Sequence, residues 1–469
     1  MFAYTQGIFS KYLKAIEVAI LCTNVFSISV TGYNIFSARG QEQDGAGSRP
    51  LSNFTNEEIM YEETEGQPNP EMKFKDKDIK AELVFEGKMN PTSMAFLDNN
   101  DILLLEISNG TIFRIINGAL QSEPVLDVNV SAPDPGERGL LGISVLKSSP
   151  GYTYVFLYFT EANRDGGSPI GNRIYKYEFI DNKLVNPKLI LDLPAHPGPF
   201  HNGGAITVGP DGNVYVPIGD LFDEVTLPST MAQNIENGEK PNGSGGILRV
   251  TQDGKPVGDG ILGDEHPLNL YYAYGIRNSF GIDFDPVTGN LWDTENGPVY
   301  GDEINVVEPG FNSGWRKVQG IWYDDGGSIT SLANVTEGIP KGLVGFNGKG
   351  KYSEPELTWK GNGSGFTALK FFDSDMLGER YANDIFVGDV HNGNLYQFEL
   401  SGSRNQIILD GPHSDKVVDN KEEVENAIFA QGFTGGITDL EVGEDGYLYV
   451  VSGIWSDQGK IYRLIRTTE

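Results

Sequence analysis

Cysteine is nearly absent from this chain. Among 469 residues there is one, Cys22, so no disulfide can form within the molecule. Stability must come from packing and hydrogen bonds, and a chain of this length has material for a large core. Histidine is scarce too: His196, His201, His266, His391 and His413 are the full set. Positive charge is in deficit. Against 35 Lys and Arg stand 65 Asp and Glu, a formal net charge of −30. Such a surface repels phosphate backbones, which argues against nucleic acid and against an anionic membrane surface. It favours solubility and can gather cations such as calcium. Long stretches of helical periodicity are few.

What is abundant is glycine, 60 residues, with 11% aromatics. That balance predicts many short strands joined by turns. At the N-terminus, Lys11 and Lys14 precede the apolar run "VAILCTNVFSISVTGYNIFSA". A basic start before an apolar stretch predicts an export signal or membrane anchor over residues 1–38, and so an exported protein. Residues 39–79 are polar and charged with few aliphatics, and are expected to form a disordered linker.

From residue 80 to 469 one pattern recurs: an apolar strand, a turn rich in Asp, Asn or Gly, then an alternating strand. "AFLDNNDILLLEISNGTIFRI" is one copy, "ITVGPDGNVYVPIGD" opens another, and "LEVGEDGYLYVVSGIWSDQGKIYRLI" is the last. Six copies predict an all-β fold, a six-bladed β-propeller with four-stranded blades. Stacked blades cover faces that one sheet alone cannot bury. The segment "KAELVFEG", 80–87, is expected to close the ring with the last blade. Residues 221–246 and 316–356 read as loop insertions.

Four segments fall where strands meet loops: "GERGLLGI" (136–143), "FHNGGAI" (200–206), "GIRNSFGIDFDP" (275–286) and "TENGPVYGDEINVV" (294–307). Each sets a polar side chain beside glycine. Any one of them can be a turn with glycine at positive φ. Four on successive blades can converge on the axis.

These motifs, in this order, together with "GFNSGW" and the final "DLEVGEDGYLYVVSG", resemble the glucose/sorbosone dehydrogenase family, the soluble quinoprotein glucose dehydrogenases and aldose sugar dehydrogenases. The resemblance covers roughly residues 80–466 and implies the same six-bladed fold. It further implies pyrroloquinoline quinone (PQQ), a calcium ion, and oxidation of an aldose at C1 with transfer to an external electron acceptor. His201 matches the family's catalytic base, and imidazole suits that role near neutral pH. Arg277 matches the arginine beside the quinone, where a guanidinium stabilises growing negative charge, and Asn278 follows it. The calcium would take main-chain carbonyls of Gly297 and Pro298, with Asn296 just before them. Asp302 and Glu303 are expected to brace this loop. Glu137 stands where one branch carries a glutamine near the quinone, and Trp359 near an aromatic that covers the cofactor.

The pattern departs from the family at the cations. PQQ carries three carboxylates, and relatives meet them with a lysine and an R-x-R-D motif. Here His391 stands for the lysine, Gly436 and Thr438 for the arginines, and Asp439 is kept. Two other readings stay open. One is a non-catalytic propeller that binds a glycan or protein partner. The other is a metal-dependent lactone hydrolase, for which no convincing set of axial carboxylates and amides is present. A monomer or homodimer is expected.

Overall fold

The computed structural model describes residues 71–467 except 134–135, 149–150, 223–230, 235–239, 299, 322–341, 362–363, 455 and 457. The apolar segment and most of the expected linker lie outside the described residues. Among the described residues no helix is long and apolar enough to cross a membrane.

Among the described residues the regular structure is almost all β, and the strands form six sheets of four to six strands each. Counted outward from the axis, the first strand of each sheet is the innermost one. These strands are Pro91–Asp98, Leu140–Ser148, Thr207–Val208, Ser279–Phe284, Phe366–Phe371 and Ile437–Val442. They touch in cyclic order, the third and fourth sheets meeting through Val214–Ile218, and the sixth returns to the first. The result is a propeller-like ring. Second strands such as "DILLLE", "VYVPI" and "LYVVS" are buried almost throughout. This fits short apolar runs covered on both faces.

The turns follow from local chemistry. Asn117 (φ 50°) and Gly118 (φ 76°) form the two-residue link between Thr111–Ile116 and Ala119–Leu120, the positive-φ pair that matches strand twist. The "PDGNVY" and "EDGYLY" hairpins share a second device. Asp211 accepts Asn213 N–H and the Tyr215 hydroxyl at 2.9 Å, and Asp445 accepts Tyr447 N–H and the Tyr449 hydroxyl at 2.8 Å.

Ring closure uses both ends of the described chain. Ile79–Gly87 pairs antiparallel with Gly459–Arg466, outermost in the sixth sheet, as the 80–87 segment was expected to do. Phe85 of this strand packs with Met89, Met94, Tyr449 and Ile461 across the seam between first and last sheets.

The expectations need two corrections. The blades are not uniformly four-stranded: among the described residues only two sheets have four strands. The additions are two-residue strands supplied by connections and chain end, such as Phe311–Asn312 and Lys351–Tyr352. The linker boundary also moves. Lys73–Phe74 pairs with Ala430 and Gln431 at the edge of the fifth sheet, and Asp76 forms an ion pair with Arg380. A strand that short has no periodicity to read.

Phe85→Ala is expected to lower stability by about 3–5 kcal/mol through the cavity it opens in the closing seam. Denaturant titration checks this; a loss below about 1 kcal/mol would show that the seam does not hold the ring.

Candidate active site at the axial mouth

A cavity of about 610 Å³ runs along the axis and is lined by the first strands of all six sheets. The polar motifs stand immediately before these strands, at one mouth of the channel. Glu137 precedes the second sheet's first strand, His201 the third's, and Arg277 and Asn278 the fourth's.

His201 is 5% exposed, so little of its ring is open to solvent. Its backbone is left-handed, φ 58°, an uncommon state for a residue with a Cβ. Two neighbours hold it there. Glu137 Oε2 accepts the His201 backbone N–H at 2.6 Å. Gly219 leaves room: a Cβ there would lie 2.4 Å from the Arg277 carbonyl and 2.7 Å from that of His201. The imidazole Nδ1 lies 2.6 Å from Asp220 Oδ1, and its ring stacks on Phe222 at 5.3 Å. Asp220 is buried, and burial alone would raise its pKa. The His201 charge and hydrogen bond, then Arg277 and the Trp315 indole, bring it below the ordinary carboxylate range.

Arg277 is set by its backbone as well as its side chain. Its N–H donates to Glu295 Oε1 at 2.7 Å, and its carbonyl accepts Asp220 N–H at 2.9 Å. Its Nη1 donates to the Asn296 and Gly297 carbonyls, both at 2.8 Å. Burial pulls this guanidinium's pKa down, opposed by Asp220, Glu137, Asp302 and Glu295; it remains a cation at any working pH. Asn278 Nδ2 reaches Glu137 Oε2 at 3.3 Å. Asn296 donates its side-chain N–H to the Phe366 carbonyl at 2.9 Å. The amide oxygens of Asn278 and Asn296 are buried without a hydrogen-bond partner.

The sequence-selected residues Glu137, His201, Arg277, Asn278, Asn296 and Gly297 are thus linked through one polar cluster. Pro298 is exposed, and the carbonyls that converge are those of Asn296 and Gly297. Asp302 braces the loop as expected, accepting Gly297 N–H at 2.8 Å and Gly365 N–H at 2.9 Å. Glu303 accepts Gly320 N–H and Gln319 Nε2.

Trp359 is not at the mouth. It is 2% exposed, in the strand Leu357–Trp359, packed edge-on against Phe366, Tyr396 and Phe398. Its cofactor role is corrected to a core role, because strand register turns its side chain into the sheet interface. His391 is exposed on the turn after Ile385–Asp389, and its charge acts on Asp302. Three partners were missed: Asp220, Glu295 and Trp315. Asp220 ends the "VYVPIGD" run, and an acid closing the strand pair after the histidine was the available signal.

Gly436 has φ 81°, and a Cβ there would lie 2.0 Å from the Val390 carbonyl oxygen. The backbone itself excludes an arginine. Thr438 is 5% exposed and lines the channel. The cluster therefore gathers carboxylates around one guanidinium.

Behind the mouth, the strands Leu291–Glu295 and Asp302–Val307 pair Asp293 with Asn305 and Glu295 with Glu303. Burial, then Glu303 and Asp293, push Glu295 up; burial raises Glu303 to about 8 and Asp293 to about 7. The Ser279 and Asn305 side chains beside Asp293 offset only part of that burial. These acids fold as neutral groups more readily than as anions.

A family model described as Glucose / Sorbosone dehydrogenase matches residues 88–463. Aldose sugar dehydrogenase YliI of Escherichia coli (strain K12) is 22% identical over 382 residues, 80% of this chain and 90% of that protein. Quinoprotein glucose dehydrogenase B of Acinetobacter calcoaceticus is 28% identical over 281 residues, 55% of this chain and 57% of that one. The PQQ-bound form of aldose sugar dehydrogenase from Streptomyces coelicolor matches with a TM-score of 0.58 at 21% identity, over 82% of this chain and 98% of that chain. At that identity the likeness is one of fold. Ring and mouth define a propeller-like protein with a paired histidine and aspartate at its axis. The chain belongs to the glucose/sorbosone dehydrogenase family.

Two outcomes follow. Asp293 has a raised folded pKa, so its contribution is fully present below the unfolded value of about 3.9 and is lost as pH rises through about 7. Asp293→Asn should flatten this fall and gain about 2–4 kcal/mol at pH 8. Denaturant titrations at pH 5 and 8 check it, and an equal effect at both pH values would refute it. Gly436→Arg should cost more than about 2 kcal/mol, because both φ and the Val390 carbonyl oppose a side chain; thermal melting reads this directly.

Proposed function

We propose that this chain oxidises an aldose at its C1 hydroxyl to the lactone, with PQQ and calcium as cofactors and an external electron acceptor. Taking each sheet as one blade, we read the ring as six-bladed. The observation that carries the proposal is the His201–Asp220 pair at the axial mouth. With Nδ1 committed to Asp220 at 2.6 Å, Nε2 is the nitrogen left to take the proton of the anomeric hydroxyl. Asp220 stabilises the imidazolium that results. Arg277 offers positive charge beside it for the oxygen that gains electron density. Glu137 keeps His201 in its left-handed backbone state.

The donor chemistry supports a cation at this place. The Asn296 and Gly297 carbonyls already converge on one cationic group, and the unpartnered amide oxygens of Asn278 and Asn296 are hard donors of the kind calcium takes. PQQ, when bound, supplies the hydride acceptor. Its carboxylates would meet Arg277 but no arginine at 436 or 438, so we propose weaker cofactor binding than in relatives with the full cationic set. Export is proposed on the basic and apolar N-terminal pattern alone.

The test is reconstitution. The full chain, supplied with PQQ and calcium, should reduce an artificial dye in the presence of an aldose. His201→Gln should lower kcat by about 10²–10⁴-fold while PQQ titration still reports binding. Absence of both binding and sugar oxidation in the wild type would abandon this reading for a non-catalytic propeller.

A further inference from the structure

We infer that Trp315 is a positioning residue that couples the His201–Asp220 pair to Arg277 through its indole. The inference rests on the catalytic reading of His201 given above. Asp220 has two carboxylate oxygens, and each holds a different ring. Oδ1 takes His201 Nδ1 at 2.6 Å, and Oδ2 accepts the Trp315 indole N–H at 2.8 Å. The same indole lies beneath the Arg277 guanidinium, with the guanidinium carbon 5.6 Å from the ring centroid. One side chain therefore meets both the base's carboxylate and the cation beside it.

Its backbone is anchored on the turn that carries Arg277. Trp315 N–H donates to the Gly275 carbonyl at 2.9 Å, and the Trp315 carbonyl accepts Asn234 Nδ2 at 2.9 Å. Asn234 is in turn paired with Asn312 by two amide hydrogen bonds of 2.7 and 2.8 Å. The indole is thus fixed to the same element as the guanidinium it lies under.

The chemical consequence concerns proton transfer. A carboxylate held at one oxygen can swing away from the imidazole. Held at both, it stays aligned while His201 gains and loses a proton, and the N–H on Oδ2 draws off part of its charge. The charge-assisted bond to Asp220 is of the stronger kind, and a cation over an indole adds attraction. A packing role would need neither the N–H on Asp220 nor the cation over the ring. The groups that face His201 are Asp220, the Glu137 carboxylate at its N–H, and the Phe222 ring. Arg277 acts on Asp220 and is itself faced by Glu137, Asp302 and Glu295.

Trp315→Phe keeps a ring under Arg277 and removes the N–H. In the full chain with PQQ and calcium, kcat should fall about ten-fold or more while KM changes by less than about three-fold. The acid limb of the kcat/KM profile should move to higher pH, because Asp220 with one donor fewer holds the protonated imidazole more strongly. Trp315→Leu removes the ring as well and should fall further. A readout independent of turnover is the His201 Nδ1–H proton resonance, assigned by its loss in His201→Gln, which should move in Trp315→Phe. A folded Trp315→Phe with the same acid limb and the same resonance overturns the inference. If Trp315→Phe does not fold, the Trp315 indole N–H resonance is followed in Asp220→Asn: a shift supports the coupling, and an unmoved resonance overturns it. Wild-type protein that oxidises no sugar would defeat the proposed reaction, while the resonances still decide the role of Trp315.

Discussion

The pairing of Ile79–Gly87 with Gly459–Arg466 is the constraint on which the rest depends. It joins an early strand to the last one in a single sheet, so the sixth sheet is held against the first. A ring of sheets leaves only short outer edges, and its first strands become cyclic neighbours. Once they are neighbours, the residues just before them gather at one mouth. No disulfide shares this task, since the chain has a single cysteine. The seam around Phe85, Met94 and Tyr449 carries it by apolar packing.

The polar cluster is a consequence of that geometry. Glu137, His201 and Arg277 come from connections to three successive sheets, yet each holds another's backbone or side chain. Glu137 takes the His201 N–H; the Arg277 carbonyl takes the Asp220 N–H. Electrostatics then divides the acids by depth. Asp220, beside His201 and Arg277, is kept ionised. Asp293 and Glu303, deeper and without an ion-pair partner among the described residues, are pushed toward the neutral form. The same fold thus provides a charged carboxylate at the mouth and neutral ones behind it.

Much of this was legible because it is local. Asp-Gly and Asn-Gly hairpins announce their own turns, and the repeat of such hairpins announces a ring of sheets. His201, Arg277 and Glu137 stood out because their motifs set a polar side chain near glycine just before a strand and resemble those of the family in the same order. The failures were not local. Trp359 was assigned to the site by resemblance, but pairing with Asp302 and Val418 sets the register that turns it into the core. Asp220 read as the end of a buried strand, since nothing nearby in sequence says which ring it will face. The two-residue strand Lys73–Phe74 carries no alternation, so its place in the fifth sheet could not be read.

By itself, the sequence determined the class of fold, the turns, the closing strand and the residue types that the mouth displays. Those features follow from backbone preference, alternation and spacing, which act over a few residues. Only the tertiary structure decided which groups meet: that Asp220 holds His201 and Trp315 together, that Arg277 occupies the Asn296 and Gly297 carbonyls, and that the Val390 carbonyl closes position 436 to any side chain. These contacts join segments far apart in the chain, and their geometry exists only once the ring has closed.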